Sequence, residues 1–72
     1  MNSEAIIKQF GWNVRQLRLK RHWTQEKLAQ HAGLTPNFIG FVERGERNIT
    51  LKNTVKIAKG LKYPVHKLFA GI

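Results

Sequence analysis

Apolar side chains recur every three or four positions along most of the chain, which is the spacing of one face of an α-helix. The first apolar stripe consists of Ile7, Phe10, Val14 and Leu17. This stripe predicts a helix over about residues 4–21, with Ser3 as the residue that caps its first turn. No stretch alternates apolar and polar residues as a half-buried strand does, so the pattern predicts an all-α protein.

Cap residues divide the rest of the chain into further helices. A threonine side chain can accept a hydrogen bond from the free N–H groups of a first turn, and the threonines in suitable places are Thr24, Thr35 and Thr50. Gly33 and Gly45 suit helix ends, because glycine takes the left-handed conformation without strain. The predicted helices after the first span about residues 25–32, 36–44, 51–61 and 64–70, all within a single domain covering residues 1–72.

The last two predicted helices each have an apolar side. In the fourth helix this side consists of Leu51, Val55, Ala58 and Leu61. The short fifth helix starts near Pro64 and is expected to bury Leu68 and Phe69. The alternative is that these two residues serve a dimer interface, because a core of this size is only marginally stable alone.

Residues 25–44 predict two helices that cross closely. Ala29 has a small side chain, which lets one helix approach the other. Gly33 can take the left-handed turn between them without steric strain. Two helices joined by such a turn are the arrangement of a DNA-binding helix-turn-helix.

Residues 25–42 resemble the helix-turn-helix of the Cro and phage-repressor family, often called Xre-like. The neighbouring residues that share the resemblance are Thr24 to Ala29, Ile39, Val42, Glu43, Arg44, Gly45, Arg47 and Asn48. The similarity extends from Phe10 to Phe69. It implies a five-helix, lambda-repressor-like DNA-binding domain that acts as a sequence-specific transcriptional regulator.

The charge balance indicates a polyanionic partner. Thirteen Lys and Arg residues against four Asp and Glu give a net charge of +9, which attracts DNA, RNA and anionic membranes alike. Apolar residues make up 42% of the chain, as in a folded domain. The helix-turn-helix pattern favours double-stranded DNA over the alternative of an RNA-binding or ribosome-associated role, which would need an exposed aromatic platform.

Several kinds of chemistry have no residues to carry them. The chain has no cysteine and therefore no disulfide or thiolate metal site, and His22, His31 and His66 lack the spacing of metal ligands. No nucleophile has a base beside it, so we expect no enzymatic activity, no cofactor and no small-molecule ligand. The absence of a secretory signal or a membrane-spanning run predicts a cytoplasmic protein.

Helical spacing leaves the third helix an outer face that can meet DNA bases. This face consists of Pro36, Asn37, Gly40, Phe41 and Arg44, and the resemblance implies that the first four occupy base-reading positions. Asn37 can pair with adenine, and Arg44 can reach a guanine or a phosphate. Phe41 either meets a thymine methyl group, with Gly40 allowing the close approach, or folds back over its own domain or onto a partner subunit. Pro36 alternatively does no more than start the helix.

Phosphate contacts are expected on both sides of the groove. The resemblance assigns one of them to Gln25, at the positive end of the second helix. Further donors follow the third helix at Arg47, Asn48 and Lys52. The resemblance also implies that Arg18 of the first helix pairs with Glu43 and holds the third helix in place.

We expect a homodimer that places two third helices in successive major grooves, about 34 Å apart, over a palindromic operator. The candidate interface consists of Tyr63, Val65, Leu68, Phe69 and Ile72. Short stand-alone domains of this kind resemble phage Cro-type repressors and the controller proteins of restriction-modification systems, and residues 43–51 favour the controllers. The alternative function is an antitoxin-like module that uses the same fold chiefly to bind a protein.

Overall fold

The computed structural model describes residues 1–72 and contains helices and turns without a strand. The α-helices are α1 (Ser3–Lys20), α2 (Gln25–Ala32), α3 (Pro36–Glu43) and α4 (Leu51–Leu61). The predicted all-α class is therefore confirmed. None of these helices combines the length and the apolar character needed to cross a membrane.

The predicted fifth α-helix is wrong. Val65–Phe69 form a 3₁₀ helix, in which the Lys67 N–H donates to the Pro64 carbonyl at 3.0 Å. The stretch between Pro64 and the turn at Gly71 is short, and no side chain caps its first turn. The tighter 3₁₀ winding is typical of such end segments, so the chain has four α-helices followed by one 3₁₀ helix.

Side-chain caps fix where the α-helices begin. Asn2 rather than Ser3 caps α1, accepting a hydrogen bond from the Ala5 N–H at 2.8 Å. The predicted threonine caps of the other α-helices are all present, with hydrogen bonds of 3.0–3.1 Å from the N–H three residues later. Each cap satisfies an N–H group that the helix itself leaves free. The start of α3 is therefore defined by Thr35.

The core gathers side chains from every helix. Its largest fully buried side chains are Val14, Leu28, Ile39, Val42, Ile57, Leu61 and Leu68. In α4 the predicted apolar side is wrong in part, because Leu51 is 75% exposed and Val55 is half-buried. Leu51 lies in the first turn of α4, where no other helix covers it, and Thr54 is buried one turn later.

The carboxyl-terminal segment is fastened to α1. Asn13 is buried and donates to the carbonyls of Leu68 and Ala70 at 2.9 and 2.7 Å. Leu68 is completely buried, so its expected place in a dimer interface is wrong, because its own domain already covers the side chain. Phe69 remains 40% exposed, with its ring centroid 5.4 Å from that of Phe10.

Two glycines set the position of α3. A Cβ on Gly11 of α1 would overlap the carbonyl oxygen of Val42, so α1 approaches α3 at a point that carries no side chain. Before α3, Gly33 takes φ +68°, and the Leu34 N–H closes the turn by donating to the Ala29 carbonyl at 3.0 Å. The inner side of α3 is thus held against the domain, and its other side faces outward.

Candidate nucleic-acid interface

The exposed face of α3 begins in its first turn. Pro36 and Asn37 are both exposed directly after the Thr35 cap. The amide of Asn37 carries donors and an acceptor, which is the combination that an adenine edge requires. This residue therefore stands at the amino end of α3, the end that a helix-turn-helix directs at the bases.

Gly40 does not lie open on the outer face as predicted. It is buried, because the Arg44 side chain lies across it: a Cβ on Gly40 would be 3.0 Å from Nη1 of Arg44. The same Cβ would be 3.5 Å from Oε1 of Gln25. In this arrangement Arg44, and not Gly40, is exposed on the outer face.

Phe41 supports two arginine side chains. Its ring centroid is 5.2 Å from the guanidinium carbon of Arg44 and 4.8 Å from that of Arg47. Both distances allow cation–π attraction, worth about 0.5–1 kcal/mol at an exposed site. Sequence reasoning missed this grouping, although the i, i+3 spacing of Phe41 and Arg44 in a predicted helix was a signal for it.

Glu46 is a second residue that sequence reasoning missed. Its Oε1 lies 3.0 Å from Nε of Arg44, and the Arg44 and Glu46 side chains are 54% and 52% exposed. The turn after α3 brings them together, because Gly45 takes φ +70° and the Glu46 N–H donates to the Phe41 carbonyl at 2.9 Å. The outer cluster, as we name it, consists of Phe41, Arg44, Glu46 and Arg47.

The inner side of α3 carries another arginine and glutamate. Arg18 donates from Nε to Oε2 of Glu43 at 2.7 Å and from Nη2 to Oε1 at 2.9 Å. Its Nη1 donates to the Trp23 carbonyl at 2.7 Å, and Gln25 donates from Nε2 to Oε1 of Glu43 at 3.1 Å. The inner network, as we name it, consists of Arg18, Gln25 and Glu43. It joins α1, α2 and α3, and the expected contact between Arg18 and Glu43 is present.

The expected phosphate-binding residues lie before and after α3 in the chain. Arg47, Asn48 and Lys52 are exposed after α3. Oδ1 of Asn48 accepts from the Ile49 N–H at 2.9 Å, which leaves the side-chain NH₂ group free to donate. Gln25 is half-buried at the first residue of α2, and its hydrogen bond to Glu43 uses one of its two side-chain N–H donors.

The sequence model of the helix-turn-helix family matches residues 14–68 of this chain. The protein belongs to the helix-turn-helix family. The matched range contains α2 and α3 entire, together with the residues of the inner network and the outer cluster.

The relatives of this chain include control proteins. Control protein C.SmaI of Serratia marcescens is 46% identical over 56 residues, which cover 78% of this chain and 67% of that protein. Control protein C.BamHI of Bacillus amyloliquefaciens is 49% identical over 53 residues, which cover 72% of this chain and 65% of that protein. The matched part of this helix-turn-helix chain thus spans about two thirds of the length of these relatives.

Solved structures of controller proteins share the fold. The restriction-modification controller protein C.AhdI from Aeromonas hydrophila has a TM-score of 0.88 and 40% identity, covering 90% of this chain and 98% of that one. The wild-type restriction-modification controller protein C.Esp1396I has a TM-score of 0.83 and 31% identity, covering 89% of this chain and 83% of that one. This helix-turn-helix protein is accordingly a DNA-binding regulator of transcription, in a family that does not consist of enzymes.

Membership of the family gives the two sides of α3 their meaning. In a helix-turn-helix protein the second helix of the motif, here α3, lies in the major groove, and the first, here α2, crosses the backbone. The Arg18–Glu43 pair is buried between α3 and the scaffold, whereas Arg44 and Glu46 of the outer cluster are about half exposed. Phosphate contacts position such a helix, and base contacts give it sequence specificity.

Proposed function

We propose that this protein is a homodimeric, sequence-specific regulator of the restriction-modification controller type. The observation that carries the proposal is the exposed face of α3, where Asn37 and the charged side chains of the outer cluster are exposed. The structural similarity of this protein to C.AhdI extends over 98% of that controller's length, which supports the same kind of role. Such a regulator works where its DNA lies, in the cytoplasm.

In the proposed complex, α3 reads the major groove from its amino end. Asn37 pairs with an adenine through N6 and N7, and Arg44 pairs with a guanine. Phe41 is apolar at its exposed edge and contacts a thymine methyl group, while Pro36 packs against the groove at the start of the helix. These contacts would make the protein prefer one DNA sequence.

Phosphate contacts hold this register. Gln25 and the N–H groups at the positive end of α2 bind one strand, while Arg47, Asn48 and Lys52 bind the other side of the groove. The net charge of +9 adds long-range attraction to the whole duplex. We therefore expect the logarithm of affinity to fall linearly with the logarithm of salt concentration, by about 0.9 per phosphate neutralised.

The dimer forms through exposed apolar side chains near the carboxyl end. Val65 is half-buried, and Phe69 and Ile72 are 40% and 46% exposed. Beside them, a groove of about 280 Å³ contains Leu51 and Phe69 among its apolar lining. Tyr63 contributes its outer edge, since Arg21 already stacks on the ring at 4.6 Å. A two-fold interface of this kind would place the two α3 helices about 34 Å apart.

Selection of bound sequences from random duplex DNA tests the proposal. We expect an enriched, palindromic site, and a dimer by sedimentation of the protein alone and with that site. The selected duplex and a scrambled one are then compared across a salt titration, because only specific binding should persist at moderate salt. No enrichment, together with binding that disappears equally for both duplexes, would contradict sequence-specific regulation.

A further inference from the structure

Gly40 is an unexpected residue in the middle of α3. A glycine inside a helix is less stable than an alanine there by about 1 kcal/mol, and φ of Gly40 is not among the positive values that would require glycine. The other helical glycines serve packing, since a Cβ on Gly11 would meet the Val42 backbone and one on Gly60 the Ala32 backbone. Gly40 therefore needs another explanation.

The space beside Gly40 is filled by side chains, not by the fold. Within 4 Å, a Cβ there would meet Nη1 of Arg44 at 3.0 Å, Oε1 of Gln25 at 3.5 Å and the Arg44 guanidinium carbon at 3.8 Å. An alanine would leave the helix intact and displace the end of Arg44 by a few tenths of an ångström. The glycine thus affects where the Arg44 guanidinium lies.

Three contacts hold that guanidinium. Gly40 lies beneath it, the Phe41 ring flanks it at 5.2 Å, and Oε1 of Glu46 forms an ion pair with its Nε at 3.0 Å. An arginine has five N–H donors, and the Glu46 carboxylate lies against the Nε side of the group. The two terminal nitrogens remain available as a fork.

We propose that the missing side chain of Gly40 lets the Arg44 guanidinium pack directly against α3, a packing position that we call the seat. Gly40 and Glu46 are then positioning residues, which present the two terminal nitrogens of Arg44 to O6 and N7 of one guanine. The inference deepens the proposed function and rests on it. A fork held in place before binding loses less conformational freedom on meeting the base, so the bidentate pair forms more favourably. Gly40 itself touches no base.

Gly40→Ala tests the seat. The melting temperature should stay the same or rise, because alanine favours the helix. Affinity for the selected site should fall by at least about fivefold, toward the roughly 5- to 150-fold that one bidentate contact carries, while affinity for a scrambled duplex stays unchanged. An equal loss on both duplexes would overturn the guanine contact, and an unchanged affinity for the selected site would overturn the seat.

Combining Gly40→Ala with Arg44→Ala distinguishes an effect of Gly40 through Arg44 from a direct approach of DNA to Gly40. If Gly40 acts through Arg44, Gly40→Ala has no further effect once Arg44 is gone. If DNA must approach the bare glycine, the loss persists in the double variant, and the proposal is overturned. Melting temperatures of all the variants show that each comparison is made between folded proteins.

Glu46→Ala tests the third contact, with Glu4→Ala as a control that removes the same charge from the exposed start of α1. Both variants gain general attraction to DNA, but only Glu46→Ala should lower the preference for the selected site. In the free protein, the Nε–H signal of Arg44 by nuclear magnetic resonance should exchange faster with water in Glu46→Ala and in Gly40→Ala. Unchanged exchange in both variants would overturn the positioning role.

The two proposals fail in different ways. If the wild-type protein selects no site, the proposed function fails and the guanine contact fails with it. If the wild-type protein selects a site and both positioning variants select it equally well, the seat fails and the proposed function stands. The exchange of the Arg44 Nε–H is measured without DNA and bears on the seat alone.

Discussion

Each side of α3 has an arginine–glutamate pair, and the two pairs differ in how deeply they are buried. On the inner side, Arg18 and Glu43 form two hydrogen bonds, and their side chains are only 9% and 3% exposed. On the outer side, Arg44 and Glu46 share one contact at 3.0 Å and are about half exposed. The difference in burial decides what each pair contributes, since exposed charges are screened much more than buried ones.

Burial makes the inner pair costly to break. A buried charge that loses its partner remains without compensation, which destabilises a protein by about 3–5 kcal/mol, whereas an exposed pair contributes about 0–1 kcal/mol. The inner pair also has its remaining groups satisfied, by the Trp23 carbonyl and by Gln25. Under the proposed function, the Arg18–Glu43 pair holds α3 on its scaffold and the outer cluster contacts DNA.

The largest predicted effect is the removal of the inner arginine. Arg18→Met keeps the apolar stem and leaves Glu43 without its charged partner, so the free energy of unfolding should fall by about 3–5 kcal/mol. Urea unfolding followed by circular dichroism measures this. Arg15→Met, at an exposed position of the same helix, should change it by less than about 0.5 kcal/mol.

A second variant keeps this prediction testable if Arg18→Met does not fold. In Arg18→Met/Glu43→Leu both charges are removed, and most of the stability should return, because apolar side chains can replace a buried ion pair. If Arg18→Met were as stable as Arg15→Met, the inner network would have no scaffold role.

The next effect compares Gly11 of α1, which lies against the inner side of α3, with Gly40 within α3. Gly11→Ala should lower the free energy of unfolding by about 1–3 kcal/mol, because its Cβ overlaps the Val42 carbonyl and one of the helices must move. Gly40→Ala is the matched control on the outer side, where only side chains are displaced, and it should raise stability slightly. Equal melting temperatures for the two variants would contradict the close approach of α1 and α3.

The helix order and the caps could be read from the sequence because they depend on local signals. The threonine caps and Gly33 act within a few residues of their own position, and the structure has them as predicted. The ends of the chain were harder, since Asn2 and Ser3 are equally good caps. The carboxyl-terminal helix looked periodic, but its five residues wind as a 3₁₀ helix, the form that such short segments commonly take.

The site was predictable in its residues and not in its arrangement. Spacing identified the outer face of α3 but could not show that the Arg44 side chain lies back over Gly40. Leu68 fitted a dimer interface equally well until the hydrogen bonds of Asn13 showed its segment folded onto α1. Such outcomes depend on contacts between residues distant in the chain, which periodicity does not contain.

At Asn37 we expect a specific effect on DNA binding and none on folding. Asn37→Ala should leave the melting temperature unchanged, because the residue is exposed, and should lower discrimination at one base position by about 1–3 kcal/mol. Arg47→Ala should instead weaken all duplexes alike and reduce the salt slope by about 1. Both are measured by binding to the selected site and its single-base variants; full discrimination in Asn37→Ala would contradict the placement of α3 in the groove.

Only a small coupling in stability is predicted for the outer pair. A double-mutant cycle of Arg44→Ala and Glu46→Ala should give a coupling energy in unfolding below about 1 kcal/mol, since both side chains are half exposed. At 1 M salt, where the Debye length falls to about 3 Å, this coupling should weaken, while that of Arg18 and Glu43 should largely remain. A coupling as large as the inner pair's would mean that the outer cluster also supports the fold. In that case the contrast between the two sides of α3 would not separate scaffold from DNA contact.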